Sequence, residues 1–327
     1  MLLDEYRFHS CFAEYINGLI DQKKASGYIY DSAKYTLIIF DKFCISMQVE
    51  NPVITKELAT AWGEYHSGEA KSQRSYRISV LRQLSLYMIS LGYECYIPTR
   101  FSAKSYKLPY VMADAEIQAF MQIVDEYDPQ IKARHFLILA EEYKVLFRFI
   151  YCCGLRVSEA RLLKINDIDF EKCTAIIRHS KGDKDRLIYF ADDVCDMCLG
   201  LLEVLERKYG VTSEYLFPSS NPDRPLQVAS INKKFKEFWA KTPYASDTGR
   251  YPTIHSLRYS FVVARMNRWM EENENLTALM PYLSKYLGHS CVENTYYYYY
   301  QIESAFKIIR QKDDVSQKII PEVTHEE

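Results

Sequence analysis

The sequence contains no long hydrophobic stretch. Nowhere in its 327 residues do apolar side chains form a run of about eighteen, which is the least that a membrane-spanning helix needs. The first residues, Met-Leu-Leu-Asp-Glu, also lack the basic and then apolar order of a secretory signal. We therefore expect a cytoplasmic protein with no membrane partner.

A large charge excess is missing as well. The chain has 41 Lys and Arg against 43 Asp and Glu, for a net charge of −2. Residues 1–110 carry 13 basic and 11 acidic side chains, so neither part of the chain is strongly basic. This balance excludes a protein that binds nucleic acid through its total charge, and a DNA interface would have to come from local clusters of cations.

Metal-ligand spacing is nearly absent. Nine cysteines are scattered along the chain, and only Cys195 and Cys198 have the spacing of a metal-binding pair. They have no second pair and no flanking histidine, and they fall in a helix predicted from Asp192 to Tyr209. We expect reduced thiols, with this pair buried one helical turn apart, and no metal site.

The sequence does have clear helical periodicity. Apolar residues recur at i, i+3 and i+4 in two segments near the N-terminus, namely at positions 12, 15, 16, 19 and 20 and at positions 35, 37, 38, 40 and 43. Two more helices are predicted over residues 56–67 and 72–90. Because 327 residues exceed one comfortable core, we assign residues 1–100 to a separate helical domain.

Basic residues cluster on the fourth predicted helix and just after it. An arc of about 140° on the helix holds Lys71, Arg74, Arg77 and Arg82. A solvated face is the commoner use of such charges, and contact with DNA phosphates is an equal alternative here. The aperiodic segment between Pro98 and Pro109 adds Lys104 and Lys107, and we place an interdomain linker at residues 101–110.

Residues 111–303 are predicted to form a second, mainly helical domain with one group of strands. Its helices are expected over residues 115–125, 135–153, 192–209, 229–241, 256–272 and 277–287. Short strands are expected over residues 165–170, 174–179 and 186–190, with a turn at Gly182 and Asp183. The predicted fold class is therefore mainly α with a small antiparallel β-sheet, followed by a C-terminal tail at residues 304–327.

Several separate motifs of the second domain suit chemistry on a phosphodiester. Charge on the phosphate requires fixed cations and donors, for which arginine is best suited, together with a nucleophile and a proton donor. The candidates are Arg156 with Glu159, Lys181, His255 with Arg258, His289, and the five tyrosines at 296–300. Each motif alone is more commonly structural: an ion pair at a helix start, a solvated hairpin, a core histidine or an aromatic helix.

In combination, these motifs resemble the tyrosine recombinase (phage integrase) family. The matching residues are Gly154-Leu155-Arg156-x-x-Glu159, Lys181-Gly182, His255-x-x-Arg258 and Leu287-Gly288-His289-Ser290, with a tyrosine nine residues after His289. Ser256 and Tyr259 depart from it, since the family commonly has an acidic residue and a histidine there. The resemblance implies a SAM-like helical core-binding domain followed by an α+β catalytic domain.

The resemblance implies a site-specific DNA recombinase or integrase of the mobile-element type. Such an enzyme cleaves and rejoins strands through a 3′-phosphotyrosyl intermediate, with no metal, ATP or other cofactor. Its residue roles carry over as follows: Arg156 and Arg258 bind the scissile phosphate, His255 and His289 hydrogen-bond its oxygens, Glu159 orients Arg156, and Lys181, or failing that Lys184, is the general acid. The family's nine-residue interval selects Tyr298 as the nucleophile.

Partners follow from the same resemblance. We expect double-stranded DNA, a homo-tetramer in the synaptic complex, a monomer when free, and an accessory DNA-binding factor. The tail after Gln301 would dock on a neighbouring subunit. Two other functions stay open at this point: a type IB topoisomerase that relaxes DNA, and a DNA-binding protein that keeps the fold without the activity.

Overall fold

The computed structural model describes residues 6–28, 30–100, 109–180, 184–245, 250–289, 291–293 and 295, with the backbone alone at residues 179, 180 and 184. The chain divides into two compact units, Met1–Lys107 and Leu108–Glu327. Within the described ranges, no helix is both long enough and apolar enough to cross a membrane.

The N-terminal unit is helical. Its described helices are α1 (Ala13–Ala25), α2 (Asp31–Ser46), α3 (Lys56–Trp62) and α4 (Lys71–Ser90). Their apolar faces meet in one core around Phe12, Phe40 and Trp62. The predicted third helix was too long, because Gly63 caps α3 and the next residues are held in a turn in which the His66 amide donates to Glu69.

Arg77 does not share a surface with the other cations of α4. Its guanidinium is buried, donates to both carboxylate oxygens of Glu69 at 2.9 Å, and stacks on the ring of Trp62. It therefore closes the core of this unit instead of facing solvent, which corrects the expectation of a common face. The reason is local: α3 ends with the ring of Trp62, and the turn after it supplies the carboxylate of Glu69 within reach.

The C-terminal unit is mainly helical with one antiparallel sheet, which confirms the predicted fold class. Its described helices are α5 (Asp114–Asp125), α6 (Arg134–Cys153), α7 (Val157–Arg161), α8 (Asp192–Tyr209), α9 (Val228–Trp239), α10 (Ile254–Glu271) and α11 (Leu276–Leu287). The strands are β1 (Ile168–Asp169), β2 (Thr174–Ser180) and β3 (Lys184–Tyr189), in the order β1-β2-β3. Cys195 and Cys198 lie buried in α8.

The first predicted strand is mostly a turn. Residues Ile165–Asp167 form a 3-10 helix, because the Asp167 amide bonds back to the carbonyl of Lys164 at 3.0 Å. Only Ile168 and Asp169, the two residues of β1, pair with β2. The strand prediction for residues 165–170 was therefore wrong over its first half.

The pairing of β2 with β3 decides which side chains point into the protein. Ala175 pairs with Ile188 and Ile177 pairs with Arg186. Because side chains alternate along a strand, Arg186 lies on the same face as the buried Ile188. The register thus carries one arginine inward.

Two glycines end the helices that frame the site. Gly154 ends α6 with φ of 60° and Gly288 ends α11 with φ of 67°, directly after the predicted spans 135–153 and 277–287. This left-handed conformation favours glycine. A Cβ at Gly154 would also lie 2.3 Å from a ring carbon of Phe261, so that only glycine fits there.

Candidate active site

Arg258 of α10 lies at the centre of the candidate site, with its side chain 1% exposed. One terminal nitrogen donates to the carbonyl of Gly154 at 2.7 Å, and the other donates to the carbonyl of Leu287 at 2.7 Å. These carbonyls belong to the ends of α6 and α11, where helices leave acceptors unsatisfied and carry partial negative charge. A fixed cation therefore joins three helices.

Glu159 of α7 is the counter-ion of an arginine cluster. Its carboxylate accepts hydrogen bonds from the Arg156 guanidinium at 2.6 Å and from the Arg186 guanidinium at 2.8 and 3.0 Å, and it lies 3.7 Å from Arg258. Burial alone would raise the pKa of Glu159, but the hydrogen bonds and charge of Arg186 outweigh it and hold the pKa at about 2. Three guanidinium groups thus share one ionised carboxylate.

Arg186 of β3 is a site residue that the sequence motifs did not reveal. Its Nε donates to the carbonyl of Tyr286 at 2.7 Å, in addition to its two bonds to Glu159. The sequence did contain a signal for it: side chains alternate along β3, so Arg186 lies on the same face as Ile188. An inward arginine needs a carboxylate partner, and Glu159 supplies it.

The end of α11 is held by three arginines in succession. The carbonyls of Tyr286, Leu287 and Gly288 accept from Arg186, Arg258 and Arg156 respectively. Each bond pairs a cation with the negative end of the helix. The position of His289, the next residue, is thereby tied to the arginine cluster.

Two histidines complete the described part of the site. Nε2 of His289 lies 3.1 Å from Arg258, and its Nδ1 lies 2.7 Å from the hydroxyl of Thr295. His255 precedes Arg258 by one helical turn, and its ring packs edge-on against Tyr259. Burial, followed by the charges of Arg258 and Arg156, lowers the pKa of His255 to about 4 and that of His289 to about 3.

The lowered pKa of His255 predicts a pH dependence of stability. The folded protein keeps this imidazole neutral while the unfolded chain protonates it near pH 6.5, so the free energy of unfolding should fall as pH drops from 6.5 towards 4. His255→Asn should reduce the slope of that free energy in this window by up to about 1.4 kcal/mol per pH unit. Urea denaturation of the full chain at several pH values measures the slope.

The matched control is His135→Asn, at an exposed position of the same unit. A slope that is the same for His255→Asn and the unchanged protein would contradict the account of His255 as a half-buried neutral ring.

The structure thus brings five of the predicted site residues into one cluster: Arg156, Glu159, His255, Arg258 and His289. Lys181 and Tyr298 lie outside the described residues, as do Lys104 and Lys107, while Lys184 is described only as part of the backbone of β3. The other predicted DNA contacts, Lys71, Arg74 and Arg82, belong to the N-terminal unit. Across the described ranges, no three His, Cys, Asp or Glu side chains are grouped so as to hold a metal ion.

Known proteins resemble this chain in sequence and in fold. A sequence model described as the Phage integrase family matches residues 111–305. One relative is y4rB of Sinorhizobium fredii (strain NBRC 101917 / NGR234), a predicted integrase/recombinase. It is 28% identical over 302 residues, which cover 88% of this chain and 92% of the relative. The tyrosine recombinase XerA of Pyrococcus horikoshii is 30% identical over 156 residues, covering 47% of this chain and 49% of its own.

Among solved structures, the Tn1549 transposon integrase in complex with a circular intermediate DNA is similar in fold. Its TM-score is 0.61 at 15% identity, and the match covers 91% of this chain and 98% of that one. At this identity the likeness concerns the fold alone.

Proposed function

Because the chain belongs to the phage integrase family of tyrosine-type site-specific recombinases, we propose that it cleaves and rejoins DNA strands through a 3′-phosphotyrosyl intermediate. The observation that carries the proposal is the cluster of Arg156, Arg186 and Arg258 around Glu159, with two histidines whose pKa values are lowered. Among the described residues of the site, three cations against one carboxylate leave a positive excess, which suits a site for one phosphodiester.

The cluster has the chemistry for binding and polarising the scissile phosphate. Arg156 and Arg258 are the proposed phosphate ligands, since a guanidinium keeps its charge at any working pH and can donate two parallel hydrogen bonds. Their bonds to helix-end carbonyls and to Glu159 fix them before DNA arrives, which avoids reorganisation during the reaction. His255 and His289, as neutral rings, donate hydrogen bonds to phosphate oxygens.

The proposed reaction exchanges one phosphodiester for another. The hydroxyl oxygen of Tyr298 attacks phosphorus and loses its proton, the bond from phosphorus to the 5′-oxygen breaks, and that oxygen takes a proton from Lys181, with Lys184 as the alternative donor. A 5′-hydroxyl of another strand then reverses the step and frees Tyr298. The phosphotyrosyl bond conserves the energy of the original link, so neither ATP nor a metal enters the scheme.

The proposed substrate is double-stranded DNA, bound by a homo-tetramer in the synaptic complex with an accessory DNA-binding factor. Lys71, Arg74 and Arg82 of the N-terminal unit, with Lys104 and Lys107, are the proposed phosphate contacts. Lys71 is exposed. Arg74 donates from Nε to the carbonyl of Gly63 at 2.6 Å, and its guanidinium stacks on the ring of Tyr65. Arg77 is left out of this surface because it is bound to Glu69.

A nicked suicide substrate tests this function. The DNA flanking the gene, nicked a few nucleotides beyond the cleavage point so that the short fragment with the released 5′-hydroxyl diffuses away, should yield a protein–DNA adduct that resists detergent and forms in the presence of EDTA. The same protein should recombine two copies of the site. Plasmid relaxation without any need for two sites would favour the topoisomerase alternative, and DNA binding without an adduct would favour the non-catalytic one.

A further inference from the structure

Thr295 is a buried polar residue at the candidate site to which no role has yet been given. Its side chain is 0% exposed, and its hydroxyl oxygen lies 2.7 Å from Nδ1 of His289. Burial of a hydroxyl is unfavourable unless it is hydrogen-bonded, so this contact is a specific one. It lies three residues before Tyr298 in the sequence.

The contacts of His289 determine which ring nitrogen carries the proton. Arg258 has only N–H donors, so the 3.1 Å contact with Nε2 is a hydrogen bond in which His289 accepts. A neutral imidazole that accepts at Nε2 carries its proton on Nδ1. That proton is donated to the hydroxyl oxygen of Thr295, which therefore acts as an acceptor in the DNA-free protein.

Phosphate binding requires the opposite tautomer. To donate to a phosphate oxygen through Nε2, His289 must carry its proton there, and Nδ1 then becomes an acceptor. A hydroxyl can both donate and accept, so Thr295 can bond to Nδ1 in either state after its O–H rotates. A carboxylate or a carbonyl oxygen at the same place would accept only and would lock the ring with its proton on Nδ1.

We propose that Thr295 is a positioning residue whose hydroxyl accepts from Nδ1 of His289 in the DNA-free protein and donates to Nδ1 once the tautomer has exchanged. This inference rests on the proposed strand-transfer function. In the DNA-free protein Thr295 and Arg258 hold the ring with its proton on Nδ1. When a phosphate oxygen accepts the hydrogen bond that Arg258 donated to Nε2, Nε2 gains a proton from water and Nδ1 gives one to water. The hydroxyl of Thr295 then turns to donate to Nδ1. The net charge of His289 does not change.

Two kinds of variant test the role of the hydroxyl. Thr295→Val keeps the branched shape and removes the hydroxyl, whereas Thr295→Ser keeps the hydroxyl. Loss of one hydrogen bond to a buried group predicts a fall of about five- to a hundredfold in the single-turnover rate of adduct formation for the valine variant, with DNA affinity unchanged. The serine variant should cleave within about threefold of the unchanged protein.

The matched control is Thr242→Val, because Thr242 is another buried threonine of this unit whose hydroxyl bonds to the carbonyl of Trp239 at 2.8 Å. It should leave cleavage unchanged. If Thr295→Val does not fold, Thr295→Ala is compared with Thr295→Ser, because these two variants also differ only by the hydroxyl.

A spectroscopic measurement separates this inference from the function on which it rests. Nitrogen-15 NMR of the full chain, labelled at histidine and assigned with His289→Asn, should show His289 protonated at Nδ1 without DNA, and Thr295→Val should reduce that fraction. A ring protonated at Nε2 in the unchanged protein, or undiminished cleavage by Thr295→Val, would overturn the inference. Absence of any adduct with the unchanged protein would overturn the proposed function instead, whatever the tautomer.

Discussion

Tyr298→Phe is expected to abolish the covalent protein–DNA adduct. The substitution keeps the aromatic ring and removes the oxygen that forms the bond to phosphorus, so the rate of adduct formation should fall by more than about 10⁴-fold. Binding of the intact DNA site should persist, because the arginine cluster is unchanged. Denaturing electrophoresis on nicked DNA measures the adduct, and a gel-shift assay measures binding.

The neighbouring tyrosines provide four matched controls. Tyr296, Tyr297, Tyr299 and Tyr300 also lie outside the described residues. Each carries the same hydroxyl as Tyr298, and only the nine-residue interval from His289 distinguishes Tyr298 from them. Adduct formation that survives in Tyr298→Phe but is lost in one of the other four phenylalanine variants would move the nucleophile to that tyrosine.

Arg258→Lys should lower the rate of strand cleavage by at least about a hundredfold, because removal of one fixed hydrogen-bond donor to a transition state has an effect of this size. The positive charge remains, but a single ammonium cannot bond to the carbonyls of Gly154 and Leu287 and also grip a phosphate. The variant thus separates the geometry of the guanidinium from its charge. Single-turnover cleavage measures the rate, and circular dichroism checks the fold.

Arg268→Lys is the control for that substitution. Arg268 is an exposed arginine of the same helix, paired with Glu272 in an i, i+4 contact, and its replacement should not alter cleavage. Cleavage by Arg258→Lys within about threefold of the unchanged protein would contradict the assignment of Arg258 as a fixed phosphate ligand.

Local sequence rules predicted much of the fold. The span of α8 was predicted without error, and α6 begins one residue before its predicted start, because long apolar periodicity and the glycine after each helix leave little choice. The rules failed where a turn decides the structure. The third helix stops at Trp62. The first strand starts with a 3-10 helix, where the amide of Ile165 donates to the distant carbonyl of Glu214.

The candidate site was predictable only in part. The order of the motifs identified Arg156, Glu159 and Arg258, which the structure brings together. Arg186 was missed because its role depends on the register between β2 and β3 and on the end of α11, and both are tertiary features. The same kind of reason applies to Arg77, which binds a carboxylate that only the folded turn places nearby.

The most direct test of the central proposal is to identify the residue that becomes attached to DNA. The adduct of the unchanged protein with nicked DNA would be digested with nuclease and protease, and the modified peptide would be sequenced by mass spectrometry. The proposal predicts a nucleotide joined through its 3′-phosphate to Tyr298. A link to any residue outside the five tyrosines, or a cleaved strand that carries no protein, would contradict it.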